Sequence, residues 1–389
     1  MRVPDRYLAG ISRCTPADAD DLRAFQLRTF ESGSREVDAT RTAWLFDRNP
    51  CRTADGTRDI YVCRRDGEIV GQQAEIPFDL RVGGRDRRAA WTVDLMVDDE
   101  WRLRGVGPGL MATQLDARPL SFGLNLSEKG YATYTRSGWA DLGVVPVYLR
   151  PLDMAAAARG GLLPGRAGRV APVAGPVLRA ADAVAAGALR AGGARLVDVE
   201  RLDARSDDVW AAASGHYPVL ARRDLAALAW RIDDRPDAAL LHRHYLVVRG
   251  RPVGYAAVRA GGTPATPTAV VVDYLAPPRW VAPLLVATGR AAHGRGAVAM
   301  SVKTRNGPAD RALRLAGFVR RERGADEPIR FMAHAEDDDG GVNALVSEPG
   351  AWFVTSADSD LEYAMTPASD PDPPSGPHRS SPATATRTP

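Results

Sequence analysis

The sequence predicts an α/β protein of mixed sheets flanked by helices, arranged as two tandem copies of one module. Three observations carry this. An apolar strand, Val93 to Val97, runs through a short acidic turn into Arg102-Leu103-Arg104-Gly105-Val106-Gly107, then into a helical pattern with Leu110, Met111 and Leu115 on one face. Segments of the first half recur, in order, in the second. A chain of 389 residues has room for two domains of ordinary size.

Each copy is expected to open with a strand and a helix whose start is marked by Thr15-Pro16-Ala17-Asp18 or by Asp203-Ala204-Arg205-Ser206. A short helical stretch follows. Ala43-Trp44-Leu45-Phe46-Asp47-Arg48-Asn49-Pro50 recurs as Ala229-Trp230-Arg231-Ile232-Asp233-Asp234-Arg235-Pro236. Hairpins are expected around Asp66-Gly67 and Arg249-Gly250. The run from Tyr61 to Gly71 matches that from Tyr245 to Gly254, Val93-Asp94-x-Met96 matches Val272-Asp273-x-Leu275, and Gly138-Trp139 matches Gly317-Phe318. Another strand is read at Leu120 to Leu126. The expected units are 1–153, an Ala/Gly/Arg-rich linker at 154–195 with a helix over Val177 to Leu189, a second copy at 196–365, and a Pro/Ser/Thr/Asp tail at 366–389 expected to be disordered.

Composition excludes several classes. Hydrophobic content of 45% with 25% charged residues is that of a globular protein, and a formal net charge of +3 implies no nucleic-acid partner. Cys14, Cys51 and Cys63 lack metal or redox spacing, which fits a reduced cytoplasmic setting. No apolar run suggests a signal peptide or a membrane span. His242-Arg243-His244 has no further ligands at suitable spacing, so no metal is expected. Trp352 to Thr355, followed by Asp358-Ser359-Asp360, reads as a closing strand and turn.

A strand opening into a glycine turn at a helix start presents bare N–H groups and the positive end of a helix dipole, which suits a pyrophosphate. Leu95-x-Val97-x-x-x-Trp101-Arg102-x-Arg104-Gly105-Val106-Gly107 resembles the acetyl-CoA motif of the GNAT N-acetyltransferase superfamily, L-x-V-x-P-x-Y-R-G-x-G-I-G. Asp99 stands where proline is usual, and Leu103 replaces a common glycine. Gly130-Tyr131-Ala132-Thr133-Tyr134-Thr135-Arg136-Ser137-Gly138-Trp139 resembles the family's Y-x-x-x-G-F ending.

The resemblance implies acetyl-CoA as cosubstrate and transfer of its acetyl group to a primary amine of a small molecule, an amino-sugar or cell-envelope precursor being one guess. Leu95, Met96 and Val97 would pair with the pantetheine arm, with an amide of Met96 or Val97 polarising the thioester carbonyl. Arg102, Leu103, Arg104, Gly105, Val106 and Gly107 would hold the pyrophosphate. Tyr134 falls on the tyrosine that protonates the leaving thiolate. Asp94 and Glu75 are the candidate bases, although Asp273 repeats Asp94, which favours a structural role for both. Strict alternation would put Asp94 and Met96 on one face of the strand and Val93, Leu95 and Val97 on the other. In the second copy, Val281, Leu284, Val286 and Leu313 are expected where Arg102, Gly105, Gly107 and Tyr134 stand, with Pro277-Pro278 blocking the turn. That copy is expected to be degenerate and to shape the acceptor pocket. Two alternatives are a Fem-like aminoacyl transferase, which needs no pyrophosphate turn, and an acyl-CoA-binding protein without turnover.

Overall fold

The computed structural model describes residues 3–31, 33–163, 166–321 and 328–363, so the expected tail lies outside the described residues. The first half runs β1 (Ile11–Arg13), α1 (Ala19–Thr29), β2 (Ile60–Arg65), β3 (Glu68–Val82), β4 (Arg85–Val97), α2 (Val106–Ala117), β5 (Leu120–Leu124), α3 (Glu128–Arg136), β6 (Ala140–Val144) and β7 (Val147–Pro151). The linker helix α4 (Arg166–Ala191) is longer than its Ala-rich core suggested. It stops before Gly193, whose φ is +80°.

The second half repeats the order with one strand, β9, added: β8 (Ala194–Val199), α5 (Arg205–Ala213), β9 (Val219–Ala221), β10 (Leu241–Val248), β11 (Arg251–Thr263), β12 (Thr266–Leu275), α6 (Pro278–Gly294), β13 (Ala299–Asn306), α7 (Gly307–Leu315), β14 (Val319–Arg321) and β15 (Arg330–Ala335). Helix α8 (Gly340–Val346) and β16 (Trp352–Thr355) close the chain.

Local chemistry explains these elements. Thr15 and Asp18 form a reciprocal capping box ahead of α1. Both expected hairpin turns carry two left-handed residues, Asp66 and Gly67 at +51° and +87°, and Arg249 and Gly250 at +49° and +83°. Along β2, alternation sends Ile60 and Val62 into the large core with Phe25 of α1, and Tyr61 and Cys63 to the face under α2. Gly71 is needed because a Cβ there would lie 2.8 Å from Val106 and 3.1 Å from Leu110 of α2. Gly254 does the same in the second half, where a Cβ would meet Leu284 of α6 at 3.2 Å.

The two halves share one sheet, and they exchange strands. β15, from the second half, lies antiparallel between β5 and β6 of the first. β7, from the first half, lies antiparallel between β13 and β14 of the second. β16 then bridges β13 and β9, and β9 pairs with β3. Each expected unit is thus completed by a strand from beyond its boundary. At the centre, Trp44 Nε1 donates to the Trp230 carbonyl and Trp230 Nε1 to the Trp44 carbonyl, both at 3.0 Å. Such reciprocal contacts are of the kind a two-fold relation generates.

Candidate active site

The site is built where β4 parts from β5. Those strands pair only at Ala90 with Ser121 and at Trp91 with Phe122. Beyond that point β4 carries Val93 to Val97 with no partner on the β5 side among the described residues, and all five residues are half-buried rather than sealed in the core. The main chain is irregular there. Gln72 pairs with Met96 but Ala74 with Val93, so Asp94 and Leu95 together oppose the single residue Gln73. This is a β-bulge, and Asp94 takes a left-handed φ of +54°. The bulge also corrects strict alternation. Val93 and Met96 pack on the large core, whereas Leu95 and Val97 pack beneath α2. One extra residue shifted the phase of the strand.

A glycine turn stands between strand and helix, as the sequence led one to expect. Residues 98–105 separate β4 from α2, with left-handed backbone at Leu103 (+63°) and Gly105 (+86°). No side chain caps the start of α2, and its first turn holds no acidic residue. The N–H groups of Val106 and Gly107 therefore lack intrahelical acceptors at the positive end of the dipole. Gly105 fits because its missing Cβ would lie 2.3 Å from the Tyr7 ring. Leu103 is fully exposed, and its positive φ shows why glycine is common at that position in the motif. Arg102 pairs with Asp99 at 2.6 Å and donates to the Val97 carbonyl at 3.2 Å, while Arg104 lies over the Trp101 ring.

The second half lacks this turn. Only two residues, Ala276 and Pro277, separate β12 from α6, and Pro278 occupies its first position. Val281, Leu284 and Val286 are not turn residues at all; they are buried inside α6, where Leu284 takes the place Leu110 has against Gly71. The eight-residue connection of the first half, 98–105, is reduced to two residues here. Leu313, by contrast, sits as expected. Its carbonyl accepts from Phe318 N at 3.1 Å as that of Tyr134 accepts from Trp139 N at 3.2 Å.

Tyr134 is buried among Met111, Leu115, Trp139 and Met332, with Trp139 edge-on to its ring at 4.5 Å. Burial pushes its phenol up; Gln73, whose Nε2 donates to the phenol oxygen at 3.4 Å, pulls it back. Sequence reasoning missed Gln73, whose only signal was a polar residue inside an apolar strand.

Neither candidate base opens on the cleft. Both oxygens of Asp94 are held by Arg41, at 3.0 and 3.2 Å. Arg41 is fully buried and donates through Nε to Asp360 at 2.8 Å. Burial pushes the Asp94 carboxyl up, against Arg41. Asp360 is buried, yet Arg41 and Arg35 hold it down at about 2. The second half repeats the clamp: Arg223 binds Asp273 at 3.2 Å and Asp358 at 2.6 Å. Glu75 is enclosed beneath α2, accepting from Gln114 at 3.1 Å with Arg118 Nε at 3.2 Å. Burial, with the Asp59 charge adding, pushes it up to about 7 against the pull of Arg118.

No cluster of metal-ligating side chains occurs among the described residues. His244 instead bonds Asp198 at 2.7 Å, in a cleft of about 280 Å³ at the β8–β10 edge. Among the described residues no helix is long and apolar enough to cross a membrane.

Residues 11–140 match the family model for the acetyltransferase (GNAT) domain. That match covers the first unit, and the fold is shared more widely along the chain. A GCN5-related N-acetyltransferase from Anabaena variabilis aligns over 83% of this chain and 71% of its own, with TM-score 0.54 and 13% identity. A probable N-acyltransferase of unknown function from Enterococcus faecalis aligns over the same shares, with TM-score 0.54 and 12% identity. A GCN5-related N-acetyltransferase from Kribbella flavida aligns over 83% and 70%, with TM-score 0.52 and 18% identity. At these identities the likeness is one of fold. No curated protein matches the chain in sequence.

Proposed function

We propose that the protein is an acyl-CoA-dependent N-acyltransferase, with acetyl-CoA bound in the first half and a small primary amine as acceptor. The observation that carries this reading is the splay of β4 from β5 beside an uncapped helix start. The pyrophosphate would sit on the Leu103–Gly107 turn, and the pantetheine arm would lie along Leu95 to Val97 as an added strand. An amide of the bulged strand, from Met96 or Val97, would face the thioester oxygen. The amine nitrogen bonds to the carbonyl carbon, the C–S bond breaks, and Tyr134 gives its proton to the departing sulfur. With Asp94 and Glu75 both engaged in ion pairs, the amine passes its proton to water. The second half contributes scaffold and acceptor pocket.

The same pairing of the two carboxylates favours one other reading, acyl-CoA binding without turnover. Thiol release from acetyl-CoA against a panel of primary amines separates the two. Transfer to any amine, with acetyl-CoA saturating one site per chain, is the expected result. Binding without thiol release supports the second reading, and absence of binding overturns both.

A further inference from the structure

We infer that Gln73 is a positioning residue for Tyr134, fixing which way the phenol hydrogen points; this rests on the acyl-transfer reading above. Gln73 is fully buried on β3 and is the single residue opposite the bulged pair Asp94 and Leu95. Its Nε2 donates to the Tyr134 oxygen at 3.4 Å. A phenol that accepts there keeps its own hydrogen free for another partner. Among the described residues, Gln73 Oε1 is buried with no hydrogen-bond partner, and so is Nε1 of Trp139, whose ring stands against Tyr134. Native cores seldom leave such atoms unpaired without a reason. Two such atoms lie on the two side chains that meet this phenol, Gln73 and Trp139.

The second half is a control within the molecule. Gly71 and Gly254 play the same packing role, so two residues further along the strand Gln73 corresponds to Ala256. Tyr134 corresponds to Leu313, and Ala256 and Leu313 are both fully buried in the apolar core. The glutamine and the phenol are therefore replaced as a pair, in the half that also lacks the phosphate turn. The Arg41–Asp94 clamp behaves differently, because it is kept as Arg223–Asp273. What both halves keep belongs to the scaffold; what only the first half keeps belongs to the site.

In the reaction, the amine nitrogen joins the carbonyl carbon and the thiolate leaves with the proton of Tyr134. The phenolate, stabilised by the Gln73 N–H, regains a proton from the ammonium nitrogen through water. Without that N–H the phenolate is harder to form, and the phenol hydrogen is free to turn toward other acceptors.

The test uses the full chain with acetyl-CoA and the best amine of the panel. Gln73→Met keeps the side-chain length and removes the polar atoms. It should lower kcat about tenfold, leave the acetyl-CoA Kd within about twofold, and not lower Tm, since a buried unpaired oxygen is removed. In the Tyr134→Phe background the same change should have no further effect on kcat, because its action runs through the phenol. Gln73→Glu offers the phenol an acceptor and should depress kcat further as pH rises through the carboxyl's titration. Unchanged kcat in Gln73→Met, or an equal fall in the Tyr134→Phe background, overturns the inference while leaving the acyl-transfer reading intact. Failure of the unmodified protein to bind acetyl-CoA or release thiol overturns that reading, and the inference with it.

Discussion

Gly105→Ala tests the phosphate turn with a single methyl group. Gly105 holds a φ of +86°, and a Cβ there would lie 2.3 Å from two ring carbons of Tyr7 and 2.5 Å from a third. Left-handed backbone costs an L-residue about 1–2 kcal/mol. The stiffer unfolded chain returns about 0.4–1 kcal/mol. The backbone effect alone is therefore close to 1 kcal/mol, on the order of the values just given. The contacts with Tyr7 cannot be relieved by a rotamer of alanine, so the ring and the helical turn Asp5–Leu8 that carries it must move. Together these should shift the amides of Val106 and Gly107 and weaken acetyl-CoA binding by about 2 kcal/mol, or some thirtyfold. Calorimetric titration reads this directly. Tyr7→Ala in the same chain should recover the steric share and leave the conformational share in place. If Gly105→Ala binds acetyl-CoA as the parent does, with unchanged Tm, this turn is not the pyrophosphate cradle.

Tyr134→Phe should lower turnover by about 10²–10⁴ with acetyl-CoA affinity retained, checked by steady-state kinetics and titration; full turnover with chemistry rate-limiting would make the phenol a core group only. Glu75 has its carboxyl raised from 4.5 to about 7, so between those values the native state binds more protons than the unfolded chain. Stability contributed by this group is present below pH 4.5 and falls as pH rises toward 7, on the order of 3 kcal/mol. Glu75→Gln should flatten that part of the pH–stability curve, and an unchanged slope in denaturant titrations at several pH values would refute the assignment. Residues 1–153 expressed alone should not give a cooperative unfolding transition, because β15 is missing from between β5 and β6; a cooperative, acetyl-CoA-binding fragment would contradict this.

What could be read from the sequence was local. Asp66-Gly67 and Arg249-Gly250 announce their turns because few residue pairs accept two left-handed conformations. The strand, turn and helix around Gly105 are equally plain, since glycine there has a backbone reason. The bulge at Asp94 could not be read, and it reversed the facing of Val93, because nothing in Val93-Asp94-Leu95 marks an extra residue in the ladder. Val281, Leu284 and Val286 were matched to the turn by constant spacing, which fails wherever a loop is exchanged for helix. Gln73 and Arg41 were invisible because their meaning lies in partners brought by distant segments, Tyr134 for one and Asp94 with Asp360 for the other.

The strand exchange explains why a half without the turn or the phenol retains its fold. Val147–Pro151 ends the first half and Arg330–Ala335 lies near the end of the second, yet neither closes the sheet of its own half. In the structure each closes the other's. Phe331 enters the core that holds Trp91, Phe122 and Trp352, and Tyr148 enters that of the second half. Loss of either half would leave the other with an open edge beside its former fifth strand and unfilled volume in its core. Trp44 and Trp230 add a seam in which each indole satisfies the other's carbonyl. The ion-pair clamps, built on Asp360 and Asp358 of one short segment, tie that segment through Arg41 and Arg223 to Asp94 and Asp273. Under these constraints the second half can change its turn into helix and its phenol into leucine at little cost. It cannot lose β15 without opening the sheet on which the first half builds its site.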